Sequence, residues 1–157
     1  MQKITTFLWF NDQAEQAAND YVALFPDSSI DAVTRYGAAG PGPAGSVMTV
    51  AFKLAGQTYT ALNGGPHFQF TPAISQVIHC ESQEEVDHYW DKLGAGGAPN
   101  QCGWLTDKYG LSWQVVPTIL PRLLASGDPK KSQSMMKAMM GMTKLDIQKL
   151  QDAYDAG

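Results

Sequence analysis

The apolar-rich stretch from Ile4 to Phe10 reads as a strand, along which side chains alternate faces, so Thr5, Phe7 and Trp9 share one face and Leu8 and Phe10 the other. The apolar second set is expected to meet a helix. That helix follows at once: Ala14, Ala17, Ala18, Tyr21, Val22 and Phe25 recur at intervals of three and four, which gives one apolar face, until Pro26-Asp27 ends the run. Ile30 to Tyr36, Val47 to Leu54 and Gln57 to Asn63 then read as strands, the last two joined by a tight turn at Ala55-Gly56.

The same pattern returns seventy residues later. Ile4-Thr5-Thr6-Phe7-Leu8-Trp9-Phe10 lines up with Ile74-Ser75-Gln76-Val77-Ile78-His79-Cys80, and Asp12-Gln13-Ala14-Glu15 with Ser82-Gln83-Glu84-Glu85. In both copies a Ser/Asp type residue stands three places before Glu, the pair that exchanges hydrogen bonds at a helix start, so Asp12 and Ser82 are expected to be the caps. Val86, Tyr89, Trp90 and Leu93 form the second helix face, Gly94 to Gly97 terminates it, and short strands follow near Ala98, at Gly103 to Thr106 and at Leu111 to Val116. The offset falls to 69 for Ala17 with Val86 and Tyr21 with Trp90, so one residue has been gained or lost at the helix entry. The pattern predicts an α+β fold of two βαβββ modules, 1–66 and 73–117, in a single domain 1–157, with function lying between the halves.

After Pro117 the character is helical, interrupted by Pro121, Gly127, Pro129 and Gly141. Asp128-Pro129 is a good cap and first helical position, and Thr143 or Asp146 caps a last helix carrying Ile147, Leu150 and Tyr154. Met135, Met136, Met139, Met140 and Met142 give this tail, 118–157, a soft apolar surface that is expected to pack on the core or on a second subunit.

With 157 residues, 44% hydrophobic, the chain can bury one substantial core. A net charge of -4 leaves no basic footprint for nucleic acid and no polybasic stretch for anionic lipid, so neither is an expected partner. No secretory apolar segment and no membrane-length apolar run is present, which points to the cytoplasm. Cys80 and Cys102 form no CxxC pair and read as two reduced thiols. Asp107 and Gly110 read as hairpin residues, His67 as a loop residue and His88 as part of the polar side of the second helix. The glycine-rich stretch 37–45 leads into a strand and contains prolines, which cannot donate backbone N–H bonds to an anion. It reads as a surface loop or lid, where a nucleoside-derived methyl donor needs a glycine turn between strand and helix.

Two βαβββ copies, with Asp107-Lys108-Tyr109-Gly110-Leu111-Ser112-Trp113-Gln114 at the last hairpin, resemble the vicinal oxygen chelate superfamily of glyoxalase I, bleomycin resistance proteins and extradiol dioxygenases. Tyr21 through Ile30, Leu62-Asn63-Gly64-Gly65-Pro66 and Gln101-Cys102-Gly103-Trp104 resemble its PhnB-like subgroup, often labelled 3-demethylubiquinone-9 3-methyltransferase, and the likeness is read over nearly the whole chain, Met135 to Tyr154 included. The resemblance implies a glyoxalase-like cupped mixed sheet with a cavity, and metal ligands from the first and last strands of each module. Carried onto this chain, the ligand positions are Thr5, Thr60, Ser75 and Gln114. None is anionic or an imidazole, so no metal and no other cofactor is expected. Thr5, Phe7, Trp9, Thr60, Asn63, Ser75, Val77, His79 and Gln114 are the expected ligand-binding residues, with a small organic molecule held between Trp9, Asn63, His79 and Gln114. His79 is the one candidate proton-transfer group, and no residue is assigned a catalytic role. The expected function is a glyoxalase-like homodimer acting on or binding a small organic molecule; the alternative is a non-catalytic sequestering protein of the bleomycin-resistance kind.

Overall fold

The computed structural model describes residues 2–157 and divides into two compact units, Met1–Phe70 and Thr71–Gly157. The first contains β1 (Thr6–Phe10), α1 (Ala14–Leu24), β2 (Ser29–Arg35), β3 (Val47–Leu54) and β4 (Gln57–Asn63). The sheet order is β1-β4-β3-β2, with β1 parallel to β4 and the other neighbours antiparallel. The expected apolar face of β1 meets the helix: Leu8, Phe10, Val50, Phe52, Leu54 and Ala61 are buried with Ala14, Ala17, Ala18 and Tyr21. Ala55 and Gly56 both take positive φ, 48° and 83°, as the two-residue turn between β3 and β4 requires.

The second unit repeats the plan with β5 (Gln76–Cys80), α2 (Gln83–Gly94), β6 (Ala98–Pro99), β7 (Trp104–Thr106) and β8 (Ser112–Pro117), in the order β5-β8-β7-β6. β5 is parallel to β8 as β1 is to β4, and the registers correspond: Phe7 pairs with Thr60, and Val77 with Gln114. Ile78, Cys80, Trp113 and Val115 are buried on the side of α2, with Val86, Tyr89 and Leu93. The last hairpin is organised by the buried carboxylate of Asp107. Its Oδ1 accepts from the amides of Tyr109 (2.9 Å) and Leu111 (3.0 Å), and its Oδ2 from the Trp113 indole (2.9 Å).

The two helix starts differ from expectation in an instructive way. Ser82 caps α2, accepting from the Glu85 amide at 3.2 Å, while the Glu85 carboxylate reaches back to the Glu81 amide at 3.0 Å. In the first unit Asp12 is not the cap. Position N-cap is Gln13, which makes no side-chain cap bond, and Oδ1 of Asn63 at the end of β4 accepts from the Ala14 amide at 2.8 Å. The reason lies in the repeat. α1 begins at Ala14 and α2 at Gln83, so the offset is already 69 at the cap, the residue equivalent to Ser82 is Gln13, and Asp12 sits one place too early. Nδ2 of Asn63 also donates to the Val47 carbonyl at 3.1 Å, so one amide joins α1, β3 and β4.

The tail comprises α3 (Ile119–Leu124), α4 (Pro129–Met140) and α5 (Ile147–Ala156), with Asp128 and Asp146 as caps accepting from Lys131 (3.1 Å) and Lys149 (3.0 Å). Leu120, Met135, Leu145 and Leu150 form its buried cluster, and Val116, Leu123, Met139, Met142 and Tyr154 pack against it. A second amide joint ties it to α2. Gln83 donates to the Leu145 carbonyl at 3.1 Å and accepts from the Ile147 amide at 2.8 Å.

Asn63→Ala removes a helix cap and a second hydrogen bond and is expected to cost about 2 kcal/mol, whereas Asp12→Ala costs less than about 0.5 kcal/mol. Urea denaturation of the two variants checks this; equal losses would restore Asp12 as the cap.

Candidate functional site

In each sheet the helix covers one face and the strand alternation leaves the other uncovered by it. In the first unit that other face carries Phe7 and Trp9 from β1, beside Thr60 and Leu62 of β4 and Ala51 and Thr49 of β3. Phe7 is 62% exposed and Thr60 is half-buried. The hydroxyls of Thr34 and Thr49 share a hydrogen bond at 2.5 Å farther across the face. Thr5 stands just ahead of β1 and is exposed. In the second unit Val77 and His79 face the same way beside Gln114 and Val116; Val77 is 44% exposed and His79 is exposed. Nε2 of Gln114 donates to Oγ of Ser75 at 3.0 Å, so these two expected neighbours do meet.

Two of the expected residues have additional employment. Trp9 lies flat against the chain at Gly64, where a Cβ would come within 2.3 Å of the indole. Its N–H donates to the Gly65 carbonyl at 2.9 Å and its ring meets Phe68 edge-on at 5.0 Å. Phe10 meets Phe70 in the same manner at 5.2 Å, so the segment after β4 is strapped to both faces of β1. Asn63 stands on the other face from Phe7 and Trp9. It pairs with Phe10 and therefore lies on the helix side, with its amide committed to Ala14 and Val47.

Sequence reading missed a cavity of about 450 Å³ in the first unit, lined by Asn11, Asp12, Tyr36, Pro43, Asn63 and His67 among others. Its walls come from three loops that converge only on folding. The glycine and proline loop, read as a surface loop or lid, forms one wall: a side chain at Gly42 would come within 2.5 Å of the Tyr36 ring, and the Tyr36 hydroxyl donates to the Asn63 carbonyl. The signal available was Tyr36 itself, an aromatic residue at the mouth of a loop rich in small residues.

The Cys80 thiol is not poised as a nucleophile by its surroundings. Burial, with the nearby Glu85 and Glu81 carboxylates, pushes the Cys80 thiol up to about 12, which leaves it protonated at neutral pH. Cys102 is half-buried with φ of 61°, its amide donating to the Met142 carbonyl at 2.9 Å where the tail docks. Among the described residues no three His, Cys, Asp or Glu side chains converge, and no helix is long and apolar enough to cross a membrane.

A solved Bacillus cereus protein described as a 3-demethylubiquinone-9 3-methyltransferase, PhnB protein, is 41% identical over 74% of this chain and 100% of its own, with a TM-score of 0.69. A Pseudomonas aeruginosa protein of 20% identity, covering 74% of this chain and 98% of its own, superposes with a TM-score of 0.61. The fosfomycin resistance protein FosX of Listeria monocytogenes, solved with Mn(II) and sulfate, shares the fold at 15% identity and a TM-score of 0.51, over 73% of this chain and 92% of its own. No curated protein sequence matches. The sequence profile of the 3-demethylubiquinone-9 3-methyltransferase family matches residues 2–116, so the likeness read in the tail lies outside it. Over those residues, with two βαβββ modules of corresponding register, the chain belongs to the 3-demethylubiquinone-9 3-methyltransferase family, the PhnB-like branch of the vicinal oxygen chelate superfamily.

Proposed function

We propose that this protein binds a small organic molecule on the uncovered sheet faces through apolar contact and neutral hydrogen-bonding groups, without a metal ion. The observation that carries the reading is the correspondence of two exposed apolar residues, Phe7 at 62% and Val77 at 44%, each paired across a parallel ladder with a neutral polar residue, Thr60 or Gln114. Small-molecule sites combine apolar side chains with a few placed hydrogen-bonding groups, and both kinds stand side by side here.

The metal that the superfamily implies does not fit these residues. Thr5, Thr60, Ser75 and Gln114 supply hydroxyls and one carboxamide, none of them anionic, and the carboxamide N–H is already given to Ser75. Such a set offsets poorly the cost of stripping water from a divalent ion. A nucleoside-derived methyl donor does not fit the glycine-rich loop 37–45 either, because that loop joins β2 to β3 and opens no helix. The neutral lining favours binding and sequestration of the ligand over its chemical conversion. Residence in the cytoplasm is part of the proposal, supported by two cysteines that stand as free thiols.

Homodimer formation belongs to the same proposal. Ile4 (83% exposed) and Ile74 (56%) stand ahead of β1 and β5 at equivalent places, apolar surface that a second copy would cover. Light scattering at micromolar concentration is expected to give about twice the chain mass, and a monomer would contradict it.

The face itself is tested with 1-anilinonaphthalene-8-sulfonate as an apolar probe of the native protein. Phe7→Ser and Val77→Ser together are expected to reduce bound-probe fluorescence severalfold while leaving the melting temperature within about 2 °C, since both side chains are largely exposed. Unchanged probe binding would remove these faces from consideration.

A further inference from the structure

The cavity of about 450 Å³ in the first unit is separate from the open sheet faces, and its chemistry is different. Asp12 and His67 are, with Tyr36, the ionisable side chains on its walls, and among the described residues neither Asp12 nor His67 makes a side-chain hydrogen bond or ion pair. The rest of the lining is largely apolar or already satisfied: the rings of Pro41, Pro43 and Tyr36, the Val47 side chain, and Asn63 with its amide spent on Ala14 and Val47.

We propose that this loop-lined cavity is a second ligand site that takes a compact organic cation, a protonated amine carried on an apolar or aromatic body. The Asp12 carboxylate supplies the counter-charge, the proline and tyrosine rings face the body, and the His67 imidazole offers a further hydrogen-bonding group. The start of α1 would otherwise draw an anion. Here its first amide is taken by Asn63, and the neighbouring side chain is a carboxylate. The chain's net charge of -4 also favours a cation over an anion at long range.

The walls are held before any ligand arrives. The Tyr36 amide donates to Ser46 and the Gly45 amide to Tyr36, both at 2.8 Å, which closes the neck of the loop. The Ser46 hydroxyl donates to the Pro43 carbonyl at 2.6 Å. On the opposite wall the Gly64 amide donates to Phe10 at 2.9 Å and the Gly65 amide to Asn11 at 3.2 Å. A site so braced pays little ordering cost on binding. The cavity and the sheet faces share none of the residues invoked for either, so a ligand in one leaves the other unperturbed.

Uniformly ¹⁵N-labelled full chain is titrated at neutral pH with 2-phenylethylamine, 2-phenylethanol and 3-phenylpropionate, one shape with three charges. The amine is expected to shift the amides of residues 11, 12, 42, 44–47, 64, 65 and 67 and to leave Val77 and Gln114 unmoved. It should bind about fivefold more tightly than the alcohol, the factor of one solvated charge pair, and the carboxylate more weakly than either. Asp12→Asn, at an exposed position, should erase the preference for the amine without weakening the alcohol. The proposal is overturned by equal binding of amine and alcohol to the wild type, by tighter binding of the carboxylate, by an absence of shifts at millimolar amine, by shifts centred on Thr60 or Gln114, or by an Asp12→Asn variant that keeps the preference.

Discussion

The parallel pairing of first strand with last strand in each module is the constraint on which the rest depends. Two parallel neighbours cannot be joined by a hairpin, so the chain between them must cross over, and α1 and α2 are the crossing elements. The helix claims Leu8 and Phe10 in one unit and Ile78 and Cys80 in the other. Alternation then leaves Phe7 and Trp9, and Val77 and His79, on the opposite faces. Because the register is the same in both ladders, Thr60 and Gln114 arrive at equivalent places beside Phe7 and Val77. The neutral character of the candidate binding surface is thus a consequence of two residue identities set into a repeated geometry.

Carboxamides do the joining that this arrangement needs. Asn63 holds the start of α1 to the end of β4 and to β3, and Gln83 holds the start of α5 to the start of α2. Each supplies a donor and an acceptor from one rigid group, so it can satisfy a helix N–H while giving its own N–H to a carbonyl elsewhere. An isosteric carboxylate would lack the donor. Asn63 also shapes the loop cavity, since its main-chain carbonyl receives the Tyr36 hydroxyl.

What was legible in the sequence was whatever a period of two or of three to four can encode. The strands, the two helices, the turn at Ala55-Gly56 and the caps Ser82, Asp128 and Asp146 all rest on neighbours within a few residues, and so does the alternation that put Phe7 with Trp9 and Val77 with His79. Asp12 failed as a cap because a one-residue slip in the repeat falls before the helix start rather than after it. Asn63 was expected beside a ligand with Trp9, and its bonds to Ala14 and Val47, which span 49 and 16 residues, leave no local signature. The cavity was illegible for the same reason: Asp12, Tyr36, Gly42 and His67 come together from separate loops. The tail was legible as helix and apolar cluster, yet its joint to Gln83 spans more than sixty residues and leaves no local signature.

The central claim is that the superfamily's ligand positions, in this chain, hold an organic molecule through neutral groups and hold no metal. Elemental analysis of the purified protein after incubation with zinc, nickel, iron(II) and manganese in turn, followed by gel filtration, tests it most directly. The account predicts far less than one ion per chain for every metal, with no difference between wild type and Gln114→Ala. About one ion per chain, lost on replacing Gln114, would contradict it.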